Sequence, residues 1–542
     1  MDSEKIRKRF EQHKGSRNTI EETWEAVAKY IAPYRGRFFY DVAGESSIQW
    51  RHRHVFDSTA VQAAKTLASH VHGSLTSPAL QWFTLEYRDT ALRKDKEAQA
   101  WLEEAAKNVY SALSESNFNL EAAEAYLDMV LFGTSAIVGE ESSAPAGEWG
   151  GFTFSAVPIK EVYFEPDAKG NVYTFYRLLR WKPSAIIDKF GDVPEYVRDA
   201  FENAPDKTVD IIFCIYPRNN GAATTRVLAP SARPYGYKYI LRESGELVGE
   251  EGGYYEMPAF LPRWSKTSES QWGNSPAMVA LPDVLTLNWL VKMTLDACDK
   301  VIDPPQKMVE GSVIGELNNR ARGLTVMRDI NEISPLNVPI RFDVADMKTA
   351  DLRQAIKSYF HVTDLELKES PAMTATEVRV RYEQMQKFLA PTLGRLESDF
   401  LNPLIERCFN VMLRAGQLGK IPQIVVSKNA QWDVKYTGPL AMAQKSDRAV
   451  AIQSWVGNLA AVAEVIPDAL DVIDPVTVAR ELGTLLGVPA SLMRSDAEVR
   501  EMRAQREEAQ QRMMQAEMEA AEGQAAEAQA RGVANMRAVG GQ

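Results

Sequence analysis

The sequence predicts a mainly α protein with a smaller α+β part, and three observations carry that expectation. Apolar and aromatic residues keep helical spacing through the first 133 residues. At Thr134 the pattern gives way to short alternating runs between turn formers. From Thr374 to Leu413 a single apolar row steps by three or four without interruption. At 542 residues the chain has room for two to four domains.

The elements follow in order. Ile20, Trp24, Val27, Ala28 and Ile31 mark a helix over Asn18 to Ala32, stopped by Pro33. A second helix, Val55 to Leu75, opens on the capping residues Asp57, Ser58 and Thr59. Thr76-Ser77-Pro78 ends it, and Trp82 to Leu85 reads as a short buried strand. Asp95 to Phe118 and Leu120 to Phe132 form a helical pair, with Gly133 placed for a left-handed cap. Strands are then expected at Ser135 to Gly139, Gly151 to Val157, Val162 to Phe164, Val172 to Trp181, Val209 to Tyr216, Tyr235 to Leu241 and Tyr254 to Leu261. Short helices from Pro183 and Pro194 interrupt them.

Helix returns near Ser275, with a broad apolar face from Val279 to Leu295 ending at Asp303-Pro304-Pro305. Pro304 to Val344 is a compact insertion rich in Gly and Pro that carries Arg320, Arg322 and Arg328. Asp346 to His361 is helical again. A charged loop, Thr363 to Ala372, holds Asp364, Glu366, Lys368 and Glu369. The long row beyond it opens on Thr374 and Glu377 at capping-box spacing, and Pro391 and Pro403 are expected to bend it. A strand at Trp432 to Pro439 and helices at Ala441 to Ile466 and Val476 to Leu486 lead to a helix-favouring tail. A thin heptad seam runs there through Val499, Met502, Arg506, Ala509, Met513, Ala516 and Ala520.

Composition is that of an ordinary soluble protein, 45% hydrophobic and 25% charged. The net charge of -11 argues against a surface that grips nucleic acid all over. Cys214, Cys298 and Cys408 stand far apart in apolar contexts, which fits buried thiols in a reducing compartment. Neither a signal-like apolar run nor eighteen consecutive apolar residues occurs, so neither export by that route nor a membrane span is expected. Motifs for a P-loop, a zinc protease, a CxxC pair or a nucleophile elbow are missing. His70 and His72, two apart on a helix, point to different sides and suit no shared metal. Arg51-His52-Arg53-His54 reads as a basic surface segment, solvated or facing a neighbouring chain or a genome. The carboxylates Glu121, Glu124 and Asp128 read as solvated or paired. Trp24, Trp82, Trp101, Trp264, Trp272 and Trp289 sit where core or interface packing would use them. These residues select no reaction and imply no catalytic, cofactor or metal residue.

Phe56-Asp57-Ser58-Thr59-Ala60, Leu67 to Pro78 and Trp82-Phe83 form a long and specific run. It resembles the portal proteins, or head-to-tail connectors, of short-tailed bacteriophages. The resemblance continues at Gly252 to Pro258, Arg263-Trp264, Gly273-Asn274-Ser275-Pro276, Met373 to Val378 and Pro403-Leu404-Ile405. It covers roughly Ile20 to Pro422.

The resemblance implies a ring, normally of twelve copies, at one capsid vertex, through which a terminase motor packages double-stranded DNA and from which DNA is later ejected. Carried onto this chain, it makes 1–280 the wing, 281–303 the first stem helix, 304–345 the clip and 346–362 the second stem helix. Residues 363–373 become the tunnel loop facing DNA, and 374–440 the long bent wing helix with its following strand. Residues 441–495 become the crown, and 496–542 a helical barrel or flexible tail. Implied partners are further copies of the chain, the motor, a tail adaptor, capsid and scaffolding proteins, and internal core or ejection proteins at the crown. The resemblance places the protein in the virion, made in the bacterial host cytoplasm. Arg320, Arg322 and Arg328 become docking candidates, with an intersubunit salt bridge as the other reading. An acidic lining would let phosphate slide where a basic wall would hold it. Two other classes stay open: an oligomeric virion scaffold or adaptor without a channel, and an enzyme with an unrecognised site.

Overall fold

The computed structural model describes the chain except at residues 36–53, 79, 143–148, 169, 219–227, 268–269, 312, 315–325, 327–328, 330–332, 336–341, 366–389, 429, 438, 464–472, 486–487, 489–493, 495–497, 500, 516–517 and 519–542. It is mainly helical, with a smaller strand-containing part. The chain divides into two units. The first holds Met1–Phe83, Ala106–Gly419 and Gly438–Leu440, and the second holds Thr84–Ala105, Lys420–Thr437 and Ala441–Gln542.

The first unit is built around an antiparallel five-stranded meander, Val162–Pro166, Val172–Trp181, Val209–Pro217, Tyr235–Leu241 and Leu247–Tyr254, paired in that order. Its central strand is buried along nearly its whole length. The N-terminal helix, Ser3–Tyr30, starts fifteen residues earlier than its apolar spacing suggested. Ile6 and Phe10 explain the extension, because they fill a core with Tyr163, Tyr176, Ile212 and Ile240 while the charged residues between them stay outside. Farther along, Trp24 stacks edge-on against Trp272 at 5.1 Å and donates its indole N–H to the Phe132 carbonyl at 2.9 Å.

Leu247–Tyr254 was not expected as a strand; the expectation lay one step later, at Tyr254 to Leu261, where only Ala259–Phe260 is extended. Its glycines hid it. Gly252 lies under the Tyr237 ring and Gly249 under Phe190, so that a β-carbon on either would collide with the ring above. A second sheet orders Phe152–Val157, Ala136–Glu141 and Ala259–Phe260. Helices Thr59–Leu75 and Phe118–Phe132 pack on one another, and Gly133 ends the latter with φ 74°. Of the cysteines, Cys214 and Cys408 are buried and Cys298 is half-buried.

The long apolar row is described from residue 390 onward. Residues 390–396 are helical, Glu397–Leu401 form a π-helical turn, and Asn402–Arg414 continue as α-helix. The π turn sits directly ahead of Pro403, whose missing N–H leaves one carbonyl of the ladder free.

The strand Phe83–Tyr87, which belongs to the second unit from Thr84 onward, pairs with Trp432–Tyr436, and Arg88 is ion-paired with Asp433 at 2.6 Å. The helices Pro439–Ala463 and Pro475–Leu485 follow. Residues 501–515 are helical and almost wholly exposed, so the heptad seam is not buried within one chain there.

Candidate functional site

Among the described residues, no three metal-ligating side chains converge. The crevice between the N-terminal helix and the sheet, bounded by Arg7, Glu11, Asp210, Arg242 and Glu243, is a seam of neutralised charge. Arg242 there pairs with Glu11 at 2.8 Å and with Asp210 at 3.0 Å. The feature that stands out is a long apolar surface on a helix pair.

Helix Pro276–Ile302 starts from a strong local signal. The Ser275 hydroxyl accepts from the Met278 N–H at 3.0 Å and donates to the Leu131 carbonyl at 2.9 Å, with Pro276 in the first turn. Ala277, Ala280, Val284 and Leu287 bury one side near its start. The other side leaves Val279, Trp289, Met293 and Val301 in solvent, while Leu295 and Ile302, in line with Ala277 and Val284 but farther along, are exposed as well, with Trp289 61% and Ile302 81% exposed. Thr286 and Thr294 turn their hydroxyls onto the carbonyls of Pro282 and Leu290, both at 2.9 Å, which leaves little polar chemistry on the surface they border. By length and composition this helix could cross a membrane, although it carries Asp283, Lys292, Asp296, Asp299 and Lys300. Only 17% of its most apolar window is buried within one chain.

Helix Phe342–Tyr359 packs against it and adds exposed Val344, Met347 and Tyr359. A short irregular strap, residues 54–58, bonds to both helices. Asn288 accepts from the Phe56 N–H and donates to the His54 carbonyl, each at 2.7 Å, while Arg353 grips Asp57 at 2.9 and 2.8 Å. Burial alone would raise the Asp57 carboxyl, but hydrogen bonds from Thr59 and Arg353 hold it below the usual carboxylate range. Asp57 and Arg353 are separated by 296 positions, and nothing in their local sequence announces the pair. Beyond the first helix, Gln306–Met308 pairs antiparallel with Ile333–Pro335.

Arg320, Arg322 and Arg328 lie outside the described residues, as do Glu366, Lys368 and Glu369. Asp364 falls in the short helix Val362–Leu365. Sequence reasoning placed Trp289 in core or interface packing, and its exposure leaves it for an interface. Glu121, Glu124 and Asp128 are paired: Glu121 accepts from the Ala156 N–H at 2.6 Å, and Arg35 contacts Glu124 at 2.6 Å and Asp128 at 3.3 Å.

The family model described as bacteriophage head to tail connecting protein matches residues 3–493. The chain is similar to a probable portal protein of Bordetella phage BPP-1, 28% identical over 502 residues, covering 90% of this chain and 87% of that protein. It is also similar to the portal protein of Salmonella phage epsilon15, 26% identical over 523 residues and covering 93% and 91%. A chain from the neck of an empty gene transfer agent particle aligns over 79% of this chain and 95% of its own length, at 10% identity with a TM-score of 0.36, a likeness too weak to argue from. An apolar helix face left open in a monomer and a family match spanning nearly the whole sequence lead to one conclusion: this chain belongs to the bacteriophage head-to-tail connecting proteins, and it is a structural connector rather than an enzyme.

Proposed function

We propose that copies of this chain close into a ring, normally of twelve, at one vertex of the capsid, and that double-stranded DNA passes through its centre during packaging by a terminase motor and again on ejection. The observation that carries this reading is the open face of Pro276–Ile302. A row of large apolar side chains in water is costly, at about 25 cal/mol per Å² of apolar surface, and in a connector the neighbouring copy is the partner that covers it. On this reading residues 281–303 and 346–362, which fall largely in the helices Pro276–Ile302 and Phe342–Tyr359, are the stem, and the strap at residues 54–58 fixes their spacing so that successive copies meet at one angle. Residues 304–345 then form the clip that meets the motor and later the tail adaptor, with Arg320, Arg322 and Arg328 as its docking side chains. Residues 363–373 form the tunnel loop, with Asp364, Glu366, Lys368 and Glu369 toward DNA. The crown, 441–495, faces the capsid interior, where core or ejection proteins would meet it. Capsid and scaffolding proteins meet the wing, and synthesis takes place in the host cytoplasm.

The deciding measurement is the mass and symmetry of the purified protein, by native mass spectrometry and electron micrographs averaged down the axis. A closed ring of about twelve copies with a central hole is expected. A monomer or an open oligomer at every salt concentration and in the presence of capsid and scaffolding proteins would overturn the proposal.

A further inference from the structure

The helix pair Pro276–Ile302 and Phe342–Tyr359 has two open faces, one on each helix, pointing away from each other. Past Asn288 the first helix keeps Val291, Thr294 and Cys298 half-buried, while Trp289, Lys292, Met293, Asp296 and Lys300 stand exposed on the far side. The second helix buries Thr349 and Ile356. Away from them Asp343, Met347 and Asp351 form an exposed row at every fourth residue, with exposed Lys348 beside it. Each joint of a ring brings together two different patches of the same chain, so a layer open on both sides can meet its neighbours front to back.

The charges on the two faces match in order. The strap bonds both Asn288 and Arg353, which sets those two positions level. Farther out the count is the same: Gln306 lies 18 residues beyond Asn288, and its strand partner Pro335 lies 18 before Arg353. Measured outward from that level, Lys292, Asp296 and Lys300 lie about 6, 12 and 18 Å along the first helix, at 1.5 Å per residue. Asp351, Lys348 and Asp343 lie about 3, 7.5 and 15 Å along the second. One face reads positive, negative, positive, and the other negative, positive, negative. The offset stays between about 3 and 4.5 Å, which a lysine stem can span. Among the described residues, Lys292, Asp296 and Lys300 have no ion pair in their own chain; Lys292 has the Phe56 ring at 6.0 Å, and Lys348 has Asp351 at 3.8 Å.

We propose that the open face of Pro276–Ile302 is covered by Phe342–Tyr359 of the next copy, in the register that sets Lys292 against Asp351, Asp296 against Lys348 and Lys300 against Asp343. This rests on the ring reading and names the surface and the register of its joint. For a stem running along the ring axis, rotation about that axis keeps every residue at its own height, so positions level within one copy are level between neighbours. Trp289 and Met293 meet Met347 of the next copy and supply the apolar attraction. The charges exclude a neighbour displaced by one helical turn, which would set Lys292 against Lys348 and Asp296 against Asp343.

The test makes Lys292→Glu and Asp351→Lys separately in the full-length protein and follows assembly by sedimentation at low ionic strength, where such charges are least screened. Each variant alone opposes like charges at every joint and should raise the concentration at half-assembly by about tenfold or more. Mixed one to one, the two should assemble as wild type does, in rings that alternate them, because every joint then opposes Glu to Lys or Lys to Asp. Single variants that assemble like wild type overturn the proposal, as does a mixture no better than its components. Should either variant fail to fold, Asp296→Lys and Lys348→Glu decide by the same criteria. Wild type that forms no ring even with capsid and scaffolding proteins present overturns the ring reading and this register with it, whereas wild-type rings with indifferent variants overturn the register alone.

Discussion

Arg17 is a charged side chain only 1% exposed, and its donors are directed at one short segment. It bonds the carbonyls of Ile159, Lys160 and Val162 at 3.2, 2.9 and 2.7 Å and the Tyr163 hydroxyl at 2.7 Å, with Glu21 as its counter-ion. Removing the guanidinium strands those acceptors in a dry environment and leaves Glu21 without its partner. Arg17→Met should therefore lower stability by about 3 kcal/mol, seen as an earlier urea midpoint, and a shift under about 0.5 kcal/mol would show the network to be dispensable. Asp128 illustrates the opposite balance. Burial raises its carboxyl to about 6, against the pull of Arg35, whose Nε lies 3.3 Å away in an ion pair without a directed hydrogen bond. Because the folded value lies above the ordinary 3.8, ionised Asp128 costs stability at pH 7 and above. That cost falls as pH drops through 6 and is gone only below 3.8, where both states are protonated. Comparing Asp128→Asn with wild type from pH 8 to pH 4 should show wild type gaining on the variant by roughly 2 to 2.5 kcal/mol, and a flat difference would mean the carboxyl titrates normally.

At the scale of the element, two glycines separate flexible from rigid neighbours. A β-carbon at Gly252 would lie 2.1 Å from the Tyr237 ring, which can tilt, whereas one at Gly133 would lie 2.2 Å from the Gly273 carbonyl, which cannot, and Gly133 already has φ 74°. Gly252→Ala is expected to cost about 1 to 3 kcal/mol and Gly133→Ala more, by denaturant midpoint; the reverse ranking would mean the strand edge is stiffer than the helix cap. The same glycines mark the limit of what was legible in the sequence. Strand Val172–Trp181 and helix Thr59–Leu75 could be read because their side chains carry the period of their own element. Leu247–Tyr254 could not, because its glycines are selected by rings on neighbouring elements. The N-terminal half of Ser3–Tyr30 was missed for a related reason, since two apolar anchors among charged residues make no periodic signal until the sheet they dock on is known. The strap over Asn288 and Arg353 is a pairing across the whole chain, invisible to local spacing. The π turn was foreseen only as a bend at Pro403, since the apolar spacing on either side of it stays helical.

At the scale of the whole molecule, the question is why a chain with net charge -11 keeps a helix face that would be costly in isolation. Burial within the subunit and burial between subunits draw on the same hydrophobic free energy, so residues already exposed in the monomer can be changed without touching its fold. Trp289 and Met293 are one turn apart on the open side, 61% and 48% exposed. Trp289→Ser with Met293→Ser should leave the circular dichroism spectrum and the denaturation midpoint of the isolated subunit within about 0.5 kcal/mol of wild type. In an assembly the same change removes an aromatic anchor at each subunit contact, on the order of 2 kcal/mol or more, and a closed ring repeats that loss at every joint. Sedimentation should then show single subunits where wild type sediments as a ring. A variant that assembles normally would place the contact on another surface, and one that loses its helical signal would mean the face is needed within the subunit.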